Sequence, residues 1–107
     1  MFHTAQHVMK IRHLVLLRFK QDTSENEQAH CMRDFARLAD LIEGIVEFEH
    51  GANISPEGLS KGYTHAVMIT FSSQAFRDAY LIHAAHLAFV ARLKPWFDEV
   101  LVFDYGI

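Results

Sequence analysis

The sequence has 107 residues, one domain's worth, and half of them are apolar, so a single core can form and wholesale disorder is excluded. A net charge of −3 with no basic block argues against binding a phosphate backbone, and no apolar run is long enough to span a bilayer. The single cysteine, Cys31, excludes an intrachain disulfide. Met1–Lys10 carries His3, Gln6 and His7 in place of the apolar stretch of a signal peptide, so a cytoplasmic location is expected.

Residues 1–9 read as a flexible leader and residues 10–107 as a single domain. Ile11–Lys20 is rich in β-branched and large apolar residues and predicts a strand. Alternation places Ile11, His13, Val15, Leu17 and Phe19 on one face and Arg12, Leu14, Leu16, Arg18 and Lys20 on the other. Ser24 and Glu27 have the spacing of a capping box. The helix it opens carries Cys31, Phe35, Leu38 and Ile42 on one stripe, runs to about Glu43 and stops at Gly44. Ile45–Asn53 predicts a second strand, nearer an edge. Pro56, Gly58 and Gly62 mark Ile54–Gly62 as a loop, and Tyr63–Phe71 predicts a third strand. Ser72 or Ser73 can cap a second helix from near Gln74. That helix breaks around His83, resumes over Ala84–Leu93 and is ended by Pro95. Glu99–Tyr105 predicts the last strand.

The order is β-α-β-β-α-β, the split βαβ arrangement: an α+β fold with a four-stranded antiparallel sheet and both helices on one face. Leu14, Leu16, Ala66, Met68 and part of the last strand then leave an apolar patch on the other face. Burying one leucine is worth roughly 1.5–3 kcal/mol. A two-fold homodimer, sheet against sheet, is therefore expected.

His13 and His65 fall centrally in the first and third strands, which are neighbours in this topology, so both imidazoles are expected in one space between sheet and helices. The run Tyr80-Leu-Ile-His83-Ala-Ala-His86 is the densest chemistry in the chain. His83 and His86 share one side of a helical turn, whereas Tyr80 and His86 meet only if the chain kinks between them. A tyrosine hydroxyl beside a neutral imidazole makes an acid–base pair, with histidine as base and tyrosine as oxyanion donor. The competing reading is a helix junction held by side-chain hydrogen bonds. A rival metal reading takes His83 and His86 with His13 or His65 as three imidazole ligands, but no carboxylate lies near enough in sequence to complete the set. His3, His7, His30 and His50 read as surface or tail residues.

Four separated segments resemble the stress-responsive dimeric α+β barrel (Dabb) family: Ile11–Lys20, Tyr63-Thr64-His65, Tyr80 through His86, and Phe103-Asp104-Tyr105. The resemblance runs from about Met9 to the C-terminus. It implies a ferredoxin-like protomer and a homodimer whose two sheets close into a barrel. The family includes a cofactor-independent, aldol-type polyketide cyclase. Carried over, that pattern makes His86 the base and Tyr80 its partner, with His13 and His65 in the pocket. His83 is taken with them as ligand-binding. No metal and no cofactor is expected. The sequence departs at Ala84, where many members have a proline that would fix the turn. The expected function is acid–base chemistry on a small carbonyl compound in a pocket between sheet and helices. Two alternatives stand beside it: a non-catalytic stress or ligand-binding protein, and a cofactor-free monooxygenase.

Overall fold

The computed structural model describes residues 9–107; the expected leader, with His3 and His7, lies outside them apart from Met9. Alternation along the first strand sets the layers. In β1 (Ile11–Phe19) every odd-numbered residue is buried and every even-numbered one is half-buried. β1 pairs antiparallel with β3 (His65–Phe71) on one side and β4 (Phe97–Gly106) on the other. β2 (Ile45–Ala52) pairs with β3, giving the order β2-β3-β1-β4.

The helices form where the caps lie. Ser24 Oγ accepts from the Glu27 amide at 3.1 Å, and the Glu27 carboxylate accepts from the Ser24 amide at 2.9 Å. This box opens α1 (Glu25–Ala36), followed after Arg37 by the single turn α2 (Leu38–Leu41). The expected helix to Glu43 thus ends at Leu41, because Ile42 is already extended, with φ −121° and ψ 124°. Ser73 Oγ caps α3 (Gln74–Leu81) by accepting from the Phe76 amide at 3.2 Å, and α4 (Ala84–Leu93) follows. All four pack on the odd face of β1. Leu17, Val67, Ile69 and Phe71 meet Cys31, Phe35 and Leu38 from α1–α2, Tyr80 from α3, and Phe89 and Leu93 from α4.

Two strand boundaries differ from the sequence reading. β3 begins at His65, since Lys61 and Gly62 take positive φ (58° and 87°) and turn the chain until Thr64. β4 begins at Phe97, two residues early, because one 3-10 turn containing Pro95 delivers the chain straight onto Phe19. β4 is an edge strand that the helices leave mostly uncovered: Val100 and Val102 on the helix side are exposed, as are Leu101, Phe103 and Tyr105 on the other side.

Gly44 joins α2 to β2 at φ +94°, and a Cβ there would run into the Phe76 side chain of α3. Gly44→Ala should therefore cost more than about 1 kcal/mol of stability, read as a lower urea midpoint at unchanged slope. An unchanged midpoint would contradict this packing.

Candidate active site

The helical run breaks after Tyr80. Ile82 (φ −108°, ψ 5°) leaves the helix, and His83 (φ −67°, ψ 137°) is extended. His83 Nδ1 accepts from the Ala85 amide at 3.0 Å and so caps α4. The kink forms with alanine at position 84. It brings together two side chains that an unbroken helix would splay apart at about 100° per residue. The rings of Tyr80 and His86 lie 4.2 Å apart between centroids, tilted by 31°.

His86 Nδ1 lies 3.3 Å from the Leu81 carbonyl. A carbonyl only accepts, so Nδ1 carries the proton and Nε2 keeps a lone pair. Burial lowers the His86 pKa, positive charge at His13 or His83 adds to the lowering, and the Leu81 bond opposes both. The imidazole is thereby held in its neutral, basic form. Tyr80 is fully buried, and burial pushes its phenol well above the ordinary value, so it remains a donor. Its hydroxyl has no hydrogen-bond partner among the described residues.

His13 packs edge-on against Tyr80 and Phe71, with centroids 5.7 and 6.0 Å away. Its Nδ1 lies 2.7 Å from Asp104 Oδ1, directly across the β1–β4 ladder. Asp104 Oδ2 in turn accepts from Arg77 Nη1 of α3 at 2.6 Å. His13, Tyr80 and His86 supply the polar groups of a cavity of about 280 Å³, whose walls include Phe35, Phe89, Val90, Val100 and Val102. A largely apolar cavity with a few convergent polar groups is the usual form of a small-molecule site.

The other two histidines lie elsewhere. His65 pairs with Leu17 in the β1–β3 register, four residues from His13, a separation of about 13 Å at strand rise. The two strand histidines therefore do not share one space. His65 packs on Phe19 at 5.2 Å, bonds Thr64 Oγ1 at 2.9 Å and lines a separate depression with Leu16, Tyr63 and Leu101. Burial, with a smaller contribution from His50, lowers its pKa. His83 Nδ1 is occupied by its capping bond. Among the described residues no three His, Cys, Asp or Glu side chains are grouped as a metal site.

The model of the Stress responsive A/B Barrel Domain family matches residues 11–107. The chain is 35% identical over 95 residues to the Stress-response A/B barrel domain-containing protein HS1 of Arabidopsis thaliana, covering 89% of this chain and 87% of that protein. The chain belongs to the stress-responsive A/B barrel family. It is also 29% identical over 97 residues to olivetolic acid cyclase of Cannabis sativa, covering 91% of this chain and 96% of the cyclase. Among solved structures, hydroxynitrile lyase from Passiflora edulis superposes with a TM-score of 0.85 at 26% identity, covering 92% of this chain and 93% of the lyase. A dimeric ferredoxin-like protein of unknown function from Jannaschia sp. superposes with a TM-score of 0.79 at 28% identity, covering 92% and 99%. The fold is the ferredoxin-like α+β arrangement expected from the element order.

In this A/B barrel protein the sequence reading overlooked Arg77 and gave Asp104 no role. A signal for Asp104 was present: within the expected strand Glu99–Tyr105 it is the one acid that alternates with Val100 and Val102. Arg77 carried none, because its partner lies 27 residues away. Both His65 and His86 bind protons less readily folded than unfolded. The unfolded chain therefore takes up more protons as pH falls through the ordinary histidine range, and stability rises with pH there. Unfolding free energy should be fully present above about pH 7 and decline towards about pH 5, with a shallower decline in His86→Asn. Stability that is flat or rises towards acid would contradict the assignment.

Proposed function

We propose that this protein is a cofactor-independent acid–base catalyst acting on a small carbonyl compound. The observation that carries the reading is the buried, unpartnered hydroxyl of Tyr80, a residue whose ring stacks on His86 and lines an apolar cavity. An orphaned buried hydroxyl costs about 1–3 kcal/mol, a cost that a ligand oxygen would remove. His86 Nε2 takes a proton from the carbon next to the carbonyl. The Tyr80 O–H donates to the oxygen on which charge develops. In an aldol-type closure the enolate carbon then attacks a second carbonyl, and the protonated His86 returns its proton to the new alkoxide. The relationship to a cyclase and to a hydroxynitrile lyase supports this class of chemistry.

Residues 10–107 form the catalytic domain in this reading, and the protomer pairs with a second copy through the sheet face opposite the helices. The exposed Phe103 and Tyr105, the half-buried Leu14, Leu16 and Met68, and the dimeric relative from Jannaschia sp. support that pairing. No helix among the described residues is long and apolar enough to cross a membrane. A cytoplasmic site of action accords with the single, buried Cys31.

A second reading, ligand binding without turnover, is favoured by one observation: Tyr80 and His86 stack without a mutual hydrogen bond. His65 and His83 contribute to ligand recognition only if the ligand reaches beyond the cavity. The test is turnover of linear 1,3-dicarbonyl compounds. The wild type should convert them, and His86→Ala should lose at least about 100-fold. Tyr80→Phe should lose activity while keeping its stability or gaining up to about 1 kcal/mol. Binding with no turnover would favour the second reading, and full activity in His86→Ala would end the first. Light scattering should report a dimer that Phe103→Glu converts to monomer; a wild-type monomer would contradict the pairing.

A further inference from the structure

Arg77, Asp104 and His13 form a chain of hydrogen bonds that the chemistry assigned to Tyr80 and His86 does not use. We propose that Arg77 and Asp104 are positioning residues that fix His13 as a hydrogen-bond acceptor on the cavity wall, so that the site selects ligands carrying a hydroxyl or enol O–H. This rests on the pocket reading above for its ligand and on the geometry alone for its tautomer.

Each link has one direction. The guanidinium only donates and an ionised carboxylate only accepts. Arg77 Nη1 occupies Asp104 Oδ2 at 2.6 Å, and Arg77 Nε is held by Asp78 Oδ1 at 2.8 Å, so the guanidinium is fixed from two sides. Asp104 Oδ1 then faces His13 Nδ1 at 2.7 Å, and that nitrogen must carry the proton. A carboxylate holding an imidazole in one tautomer and orientation is the division of labour seen in catalytic triads. Phe71 and Tyr80 press edge-on against the His13 ring and restrict its rotation. Its Nε2 makes no hydrogen bond among the described residues, and the ring lines the cavity. The polar inventory is therefore one donor, Tyr80 Oη, and two acceptors, Nε2 of His13 and Nε2 of His86. A ligand that satisfies all three brings an oxygen acceptor, an acidic C–H and an O–H. The separate contribution of His13 is the demand for that O–H.

Asp104→Asn tests this directly. Arg77 still requires an oxygen acceptor, so the Asn carbonyl faces Arg77 and the NH2 faces His13. His13 Nδ1 then accepts, and the proton moves to Nε2. Adding Arg77→Met removes the demand and lets the amide turn either way. The readout is the long-range 1H–15N spectrum of 15N-histidine-labelled protein, with the His13 signals assigned by their loss in His13→Gln. Wild type should carry the proton on Nδ1, Asp104→Asn on Nε2, and Arg77→Met/Asp104→Asn a mixture. The ligand arm uses p-cresol and its methyl ether, 4-methylanisole. The ratio of p-cresol to 4-methylanisole affinity should fall about fivefold in Asp104→Asn, because the new Nε2–H can donate to either oxygen. A wild-type His13 protonated on Nε2, or one whose proton stays on Nδ1 in Asp104→Asn, overturns the positioning. So does a double variant with the same tautomer as Asp104→Asn, which removes the part given to Arg77. If neither probe binds while the tautomers respond as stated, the positioning stands and the pocket reading fails. Should Asp104→Asn not fold, the wild-type spectrum alone decides the tautomer.

Discussion

One hydrogen bond, from the Ala85 amide to the His83 imidazole, opens α4 just after α3 has ended at Leu81. The first amides of a helix need acceptors from outside it, and a side-chain cap that supplies one is worth about 1 kcal/mol. Here the cap has a geometric consequence larger than its energy. It turns the chain between Tyr80 and His86, lays the two rings against each other and leaves the Leu81 carbonyl free to receive His86 Nδ1. The same turn therefore sets the position and the tautomer of His86 and its stacking on Tyr80. Proline would stiffen this turn, but the histidine cap forms it with Ala84 in place.

The second constraint is coverage. Four strands lie under helices that pack over β2, β3 and β1 but leave most of β4 uncovered. Val100 and Val102 are left exposed on the helix side, where they form one wall of the cavity. On the other side Leu101, Phe103 and Tyr105 continue an apolar surface across Leu14, Leu16, Ala66 and Met68. Incomplete coverage thus leaves a cavity on one face and an exposed apolar surface on the other. Into this apolar setting the fold admits few polar groups, and each has a fixed role. Asp104 is neutralised by Arg77, His13 is oriented by Asp104, and the fully buried Tyr80 hydroxyl has no partner among the described residues.

Local physics was legible in the sequence. The Ser24–Glu27 box, the odd face of β1 and the break around His83 all depend on residues a few positions apart. The element order followed from them, and the family was legible as a resemblance carried by four separated segments. Tyr80 and His86 were identified as a pair conditional on a kink, and the kink exists. What the sequence hid was register and reach. His13 and His65 sit on adjacent strands and on the same face, yet antiparallel pairing sets His65 opposite Leu17 and carries it out of the cavity. His83 was read as a pocket residue from its spacing to His86, while its ring is committed to the backbone of its own turn. Arg77 and Asp104 are joined only by folding, 27 residues apart, and no helical or strand period links them.

The central claim is that the Tyr80 hydroxyl and His86 Nε2 address a carbonyl ligand inside the cavity. A crystal structure of the protein soaked with acetophenone tests it most directly. The account predicts the ketone within the cavity, its oxygen at hydrogen-bond distance from Tyr80 Oη and its methyl group against His86 Nε2. A ketone bound elsewhere with Tyr80 still unpartnered, or a cavity closed by its own side chains, would contradict it.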